Sequence, residues 1–496
     1  MSNLTKSKFQ KGSQKTTSVS SQIPSWDSFV QTGLLQRVSM TIGLLAFYRL
    51  GVQIPLSGIN HDMMSKAGNL LSSNLLGLVD LFAGGALSNL SVFALGIGPY
   101  ITASIMMQLL NEVFPQLKAL QQEQGESGRK EYQQWVRRLS ILLAIIQSFA
   151  LTRWLYLSGL ASPEEAAWLF YLKSIISLAA GSAFVMWIGE LISEFGIGNG
   201  GSLLIFAGIA ARLPQMFGQT LQAWESGTTP TWGLITLIVF FALIVLAIIY
   251  IQEGSRKLLI VGARSNMGGG GSSSFPMSSY ANVSGHYLPL KVNPAGVLPL
   301  IFASATMYMP LQLFTFATGQ PNLSISASFR KIFVEGEFFG NIFAPILSVN
   351  PINKIFEALG GFCDRLFAYS TWEHSLFYIS LIILFAFFYA SILLNPKDMA
   401  ENLQKGGNAI QGIKPGKPTA EYIEKVLNRI VFIGACLIGL ITILPIHVEK
   451  LCEVTTLGAL GGTSLIIMVG VAIDLHTQII AYTQAHQYQV RTLLSK

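Results

Sequence analysis

The chain has 496 residues, 51% of them hydrophobic and only 11% charged, with mean hydropathy +0.51 and a formal net charge of +7. A water-soluble globular chain carries about 25% charged residues, so this composition excludes one and points to a chain that crosses a membrane many times. In such a chain the positive balance is expected to mark basic loops on one face of the membrane, not a nucleic-acid surface.

In chain order, residues 1–33 are rich in Ser, Gln and Lys and are expected to form a disordered cytosolic or stromal tail. They lack a basic leader with a short apolar core and a small-residue cleavage site, so no cleaved signal peptide is expected. Apolar windows long enough to span place ten helices near 34–53, 92–110, 139–157, 168–189, 201–217, 233–251, 292–314, 375–394, 428–446 and 460–482. If the N-terminus is cytosolic, most Lys and Arg, from Lys6 to Lys496, fall on its side. The other face keeps only Lys66, Arg330, Lys331, Lys354, Arg365 and Lys450. Both termini are therefore expected on the cytosolic side.

The run Leu70–Leu110 stands apart. Asp80 is its only charge, and as one helix it would be about 60 Å long, roughly twice the hydrocarbon core. Gly84, Gly85, Gly96, Gly98 and Pro99 also argue against one rod. The expected arrangement is a short segment at about 78–90 that enters from one face and stops, followed by a true span. Such backbone survives in a membrane only when it is buried in protein or lines a cavity.

Gly96-Ile-Gly-Pro99-Tyr-Ile101-Thr-Ala103-Ser104 in the second window and Gly296-Val-Leu-Pro299-Leu-Ile301-Phe-Ala303-Ser304 in the seventh both read G-x-x-P-x-I-x-A-S. Chance similarity between apolar helices is one explanation. The other is an inverted 5+5 repeat, because copies five spans apart point in opposite directions.

Enzyme signatures are lacking. Gly196–Gly201 resembles a dinucleotide loop but follows a membrane span, so a tight inter-helix turn is expected. Gly416-Lys417-Pro418-Thr419 has the wrong glycine spacing for a phosphate loop, and Pro418 stands where Ser or Thr should follow the Lys. The six histidines show no metal-ligand spacing, and no metal or cofactor is expected. Cys363 and Cys452 would share a face, which leaves a disulfide open. Of the intramembrane ionisable residues, Arg49, Arg153, Lys173 and Arg212 lie near window ends and are expected to snorkel. Asp474 is open to a role as a proton or cation site, but is expected at the cytosolic end of the last span, capped or solvated. The pairs Ile97/Ile101 and Ile205/Ile209, each four apart, share helix faces, either for packing or as part of a water-excluding constriction.

Several long stretches resemble the SecY family. They are FAGGALSNLSVFALGIGPYITASIMMQLL, GESGRK, GELISEFGIGNGGSLLIFAGI, YLPLKVNPAGVLPLIFASA, NPKDMAENLQKGG, GIKPGKPT and GGTSLIIMVGVAID. The resemblance spans about 34–482 and is nearest to cyanobacterial and plastid members, notably in VLNRIVFIGA and VGVAID. It implies an all-α membrane fold of ten helices in a 5+5 inverted repeat with a re-entrant plug. The N-terminal half would be 34–230, the C-terminal half 231–482, and 483–496 a tail.

The family's plug falls on Asp80–Leu90, including Phe82, Gly84, Gly85 and Leu87. Its pore ring falls on Ile97, Ile101, Ile205, Ile209, Ile301 and Ile467. Its lateral gate, between the second and seventh spans, falls on Pro99, Ser104, Gln108, Asn293, Pro299 and Ser304. Its partner-docking loops, 252–291 and 395–427, carry Arg256, Lys257, Lys397, Lys405, Lys414 and Lys417. The function implied is conduction of unfolded, signal-bearing polypeptides and sideways release of membrane spans into lipid, without bond chemistry. The partners implied are SecE and a SecG-like subunit, a SecA motor or a ribosome, and a YidC/Alb-type insertase. The location implied is the plastid thylakoid, with a cyanobacterial or other bacterial membrane as the alternative.

Two positions depart from the family. Lys414 stands where an Arg is expected, which loses the bidentate fork. The tip Asn266–Ser274 is Gly/Ser-rich in place of a basic run. The loop 316–373 is also longer than expected. The competing readings are a secondary transporter, which requires paired polar or ionised groups inside the membrane, and a non-conducting insertase or scaffold, which requires neither pore nor plug.

Overall fold

The computed structural model describes residues 33–59, 80, 83–114, 125–161, 166–227, 230–262, 286–307, 371–452 and 462–494, with parts of 116–120 and 361–367. In chain order the elements are α1 (Leu34–Gly51), α2 (Gly98–Val113), α3 (Gly125–Leu157), α4 (Ala167–Phe195), α5 (Gly200–Glu225) and α6 (Thr231–Glu253). Strands β1 (Ser255–Gly262) and β2 (His286–Lys291) come next, and then the short helix α7 (Leu298–Met307). The chain continues through α8 (Trp372–Leu393), α9 (Pro396–Lys405), β3 (Asn408–Ile410), α10 (Lys417–Cys452) and α11 (Gly462–Leu494).

Among the described residues, seven helical stretches are long and apolar enough to cross a membrane: α3, α4, α5, α6, α8 running on into α9, α10 and α11. The shorter helices α1, of 18 residues, α2, of 16, and α7 occupy the three remaining expected windows. Every expected span thus has a helical counterpart. Helix α3, with 33 residues, would be about 50 Å long, so it overshoots a bilayer core of about 30 Å.

Local chemistry sets several helix starts. Asn199 opens α5 by accepting the Ser202 N–H at 3.2 Å. Thr371 opens α8 by accepting the His374 N–H at 3.3 Å. Asn395 opens α9, where Pro396 takes a first-turn place that needs no donor. Gly196–Gly201 forms the tight α4–α5 turn that its position predicts. A Cβ on Gly200 would stand only 1.8 Å from the Gly189 carbonyl oxygen, so the two helix ends meet there backbone to backbone.

The helical plan carries a small sheet that periodicity did not signal. Strands run in the order β2-β1-β3, both pairings antiparallel, with Arg256 opposite Leu290 and Ile260 opposite Ile410. Pro289 lies on the edge strand β2, where its missing N–H costs no central ladder bond. Leu258, Leu290 and Ile410 bury the inner face against Ile423, Val426 and Ile430 of α10. The sheet joins the α6–α7 connection to the α8–α10 connection. Both therefore lie at one end of the bundle, as two intervening spans require.

The main core runs through the middle of the bundle and takes residues from α1, α2, α4, α5, α6, α7, α8, α10 and α11. Helix α3 packs outside it, against α2 and α4. The two copies of the repeated motif fold alike. Gly96 and Gly296 both take positive φ, 52° and 62°, and each donates its N–H to the residue three before it, Phe93 and Asn293. Each helix begins two residues later, with Pro99 and Pro299 in its first turn. The Ile101 and Ile301 amides bond back to the carbonyls of Ile97 and Val297 at 3.1 and 3.2 Å.

Candidate functional site: plug, seal and gate

The second expected window, 92–110, becomes helix only at Gly98. Residues 83–97 form successive turns that are buried over most of their length. Ser91 pairs with Pro55 in an isolated antiparallel bridge, through Leu56 N–H to Leu90 C=O at 2.9 Å and Val92 N–H to Ile54 C=O at 3.0 Å. Tyr48, Phe93, Phe184 and Trp187 form a run of ring contacts, with centroids 6.1, 6.0 and 5.5 Å apart, that clamps the segment between α1 and α4. The backbone crosses the protein interior without a helix, so its polar groups need partners. It finds them locally, on Asp80, on α1 and the residues just after it, and on α4.

Asp80 supplies several of these bonds. One carboxylate oxygen accepts the N–H groups of Leu87 and Ser88, each at 2.9 Å, which folds the segment into a loop. The other lies 2.7 Å from Nη2 of Arg212 on α5. The Asp80 side chain is 2% exposed. Removing one partner of such a buried pair typically costs about 3–5 kcal/mol, because it strands the other charge. From α1, Arg49 donates to the Gly84 carbonyl, and the Tyr48 hydroxyl donates to the Ala83 carbonyl at 3.1 Å. Arg49 and Arg212 therefore point inward to this segment, which corrects their expected snorkelling. Arg153 and Lys173 are exposed. So is Asp474 on α11.

Two glycines make the close approach feasible. Gly84 and Gly85 have φ of 68° and 86°. A Cβ on Gly84 would stand 2.8 Å from the Cα of Gly208 on α5, and one on Gly85 would stand 3.7 Å from Nε of Arg212. Ala83 and Ala86 face the main core, whereas Leu87 and Leu90 pack with Leu56, Trp154 and Phe170 in a second cluster. Of the residues expected in the plug, Asp80, Gly84, Gly85, Leu87 and Leu90 are thus placed together. Phe82 lies outside the described residues.

All six expected ring isoleucines meet in the main core. Ile97, Ile205, Ile209, Ile301 and Ile467 are buried, and Ile101 packs against them half-buried. Ile97 sits at the N-cap of α2, one step before the helix starts.

Pro99 and Pro299, and Ser104 and Ser304, occupy equivalent places on α2 and α7, whereas Asn293 precedes α7 and Gln108 lies further along α2. Pro99, Asn293, Pro299 and Ser304 are buried. Asn293 donates to the Gly296 carbonyl at 2.7 Å, and Ser304 to the Ile301 carbonyl at 2.8 Å. Gln108 donates to Ser104 at 3.3 Å and accepts from the hydroxyl of Tyr389 on α8. The Tyr389 ring lies 4.8 Å from that of Phe302 on α7. The second and seventh spans are thus linked through the eighth. Beside this link a cavity of about 820 Å³ opens among α2, α3, α4, α8 and α9, lined by Tyr100, Ser104, Glu190, Asn395 and Asp398 among others.

All six expected docking residues are exposed on or beside the small sheet: Arg256 and Lys257 on β1, Lys397 and Lys405 on α9, and Lys414 and Lys417 before and at the start of α10. The Lys414 carbonyl accepts the Thr419 hydroxyl at 2.8 Å, which fixes the loop and leaves the ammonium free to move. All of 263–285, with the Gly/Ser tip, most of 316–373, and Cys363 with its pairing lie outside the described residues.

Tyr48, Arg49, Arg212 and Tyr389 were not singled out from sequence as plug or gate residues. A usable signal existed for the arginines. A solitary acid in an apolar run calls for a cation, and Arg49 and Arg212 are among the few intramembrane ones. Nothing in the sequence marks Tyr389. Among the described residues, no cluster of His, Cys, Asp or Glu could hold a metal.

A family model described as SecY matches residues 91–476. Protein translocase subunit SecY of Synechocystis sp. is 40% identical over 460 residues, covering 92% of this chain and 94% of that protein. The protein of that name from Porphyra purpurea is 37% identical over 465 residues, covering 93% and 99%. A solved structure concerned with the SecY plug domain, described as stabilising the closed state and maintaining a membrane seal, aligns with TM-score 0.58 at 18% identity, covering 90% of this chain and 92% of that one. At that identity the likeness speaks to the fold alone.

Proposed function

Because this chain belongs to the SecY family, it is the channel subunit of a protein translocase, and we propose how its own residues divide that work. It is an integral membrane protein that conducts polypeptide and breaks no bond. Its halves, 34–230 and 231–482, face each other across a central path. Ile97, Ile101, Ile205, Ile209, Ile301 and Ile467 close that path. A ring of branched apolar side chains holds no water, so an ion meets a desolvation barrier while an extended polypeptide can push the ring aside. The segment Asp80–Leu90 is the plug behind the ring. The starts of α2 and α7 form the lateral gate, through which about 20 apolar residues leave for lipid by partition.

The observation that carries this reading is the convergence of Ile97, Ile205, Ile209, Ile301 and Ile467, with half-buried Ile101 against them, in one buried cluster that also holds Ala83 and Ala86 of the plug. The transporter reading required paired ionised groups inside the membrane, and Asp80–Arg212 is such a pair. It is occupied in holding backbone, and family membership removes that alternative.

The partners proposed are a SecE helix, a SecG-like subunit, a SecA-type motor or a ribosome on the exposed basic face, and a YidC/Alb-type insertase. The location proposed is the plastid thylakoid, supported by the relative from Porphyra purpurea, with a cyanobacterial or other bacterial membrane, which the Synechocystis relative supports, as the alternative. The test is reconstitution with a motor, a SecE helix and a signal-bearing preprotein. Protease-protected product that depends on the motor is expected. Its absence, with each component active in a parallel assay, would overturn the reading.

A further inference from the structure

The polar contacts described for Ala83–Gly96 beyond the segment itself all run to the N-terminal half. Tyr48 and Arg49 of α1 hold the Ala83 and Gly84 carbonyls. Residues Ile54 and Leu56, just after α1, bond Val92 and Leu90. Ser182 of α4 reaches the Gly96 carbonyl at 3.3 Å. Asp80, which folds the loop through Leu87 and Ser88, is itself held by Arg212 of α5. Among the described residues, the segment shares only the apolar core with the C-terminal half, through Ala83, Ala86 and Phe93. Apolar faces part without leaving a charge behind, whereas the Asp80–Arg212 pair, with Asp80 2% and Arg212 20% exposed, cannot part without stranding a buried carboxylate.

We propose that Asp80 and Arg212 form an electrostatic latch that ties the plug to the N-terminal half, so that release of this pair, more than the parting of the halves, sets how readily the closed channel opens. The proposal rests on reading Asp80–Leu90 as the plug. It also explains how the seal and the latch reinforce each other. While the isoleucine cluster excludes water, the two charges attract through a medium of low dielectric constant. Once a polypeptide and its water wet the path, the same charges attract far less. Opening the seal thereby loosens the plug, and closing it tightens the plug again.

The test is a double-mutant cycle on the full chain with its partner subunits in planar bilayers, read as resting ion conductance. Asp80→Asn keeps an oxygen for Leu87 and Ser88 and removes only the charge. Arg212→Gln removes the opposite charge. Each single variant should raise resting conductance about tenfold, and the double variant should leak no more than the leakier single. Single variants as tight as the parent, or effects that multiply in the double, would overturn the latch. Arg212→Lys keeps the charge and should stay closed; a leak equal to that of Arg212→Gln would assign the effect to packing and also overturn it. Deletion of residues 83–90 separates the two ideas. If the deletion leaks while the single variants stay tight, the latch alone is wrong. If the deletion is also tight, the plug reading has failed.

Discussion

Tyr389 of α8 donates its hydroxyl proton to Gln108 of α2 across a separation of 281 residues in sequence. The same ring rests on Phe302 of α7, so one side chain joins α2 and α7, the two walls of the proposed lateral gate. Tyr389→Phe keeps the ring contact and leaves the Gln108 oxygen without its donor. The closed gate should weaken by about 1 kcal/mol, or about fivefold in its closing equilibrium. The expected result is several-fold better transport of a preprotein with a weakened signal sequence. Unchanged dependence on signal strength would remove Tyr389 from the gate.

The isoleucine cluster predicts a second result. Replacing Ile97, Ile101 and Ile301 together by Gly removes three branched side chains from a buried cluster to which α2, α5, α7 and α11 contribute. Water should enter the gap, and resting conductance in planar bilayers should rise well above that of the parent. Triple variants that stay electrically silent would place the seal elsewhere.

Glycine substitutions should separate the plug's seat from ordinary helix positions. Gly84→Ala puts a methyl group 2.8 Å from the Gly208 Cα at a φ of 68°, so both the contact and the backbone oppose it. The cost should be about 1–3 kcal/mol and should appear as a leak. Gly43→Ala, inside α1 with open space around it, should be neutral or stabilising by up to about 1 kcal/mol. Equal conductance in the two variants would argue against a tightly seated plug.

Lys414 is exposed, and its carbonyl, not its ammonium, is used by the loop. Lys414→Glu should therefore leave membrane levels of the protein unchanged and lower motor-driven transport several-fold. The effect should be larger at low salt, where exposed charges are least screened. Transport equal to the parent at low salt would remove Lys414 from the docking surface.

Stability of the α4–α5 turn supplies a control of another kind. A Cβ on Gly200 would collide with the Gly189 carbonyl oxygen at 1.8 Å. Gly200→Ala should cost more than about 3 kcal/mol and sharply reduce the amount of folded protein in the membrane. Normal accumulation would mean that the two helix ends can separate without penalty.

Much of the plan was legible in the sequence because a membrane turns length into topology. Windows of about 20 apolar residues must be helices, since lipid offers no partner for free backbone groups. The break at Leu70–Leu110 was legible for the same reason, through its length and its glycines. Element edges were less so. The start of α2 moved from 92 to 98 because Gly96 takes a positive φ and residues 83–97 satisfy their backbone through turns. The small sheet went unread because β1 and β2 are short and lie in basic connections. Their inner faces, at Leu258 and Leu290, become apolar surface worth burying only once α10 supplies Ile423 and Val426.

By itself, the sequence determined that this protein is a bundle of membrane helices, that Asp80 is a lone acid in an apolar run, and that two motif copies open the second and seventh spans. These follow from composition, length and local backbone preference. Only the tertiary structure decided which cation answers Asp80. Arg49 and Arg212 both stood within reach of a span end, and either could have turned to water. Burial of Asp80 made an unpaired carboxylate too costly, so Arg212 turned to the acid and Arg49 to the Gly84 carbonyl beside it. Pairing across such distances in sequence is a property of packing, and no window along the chain contains it.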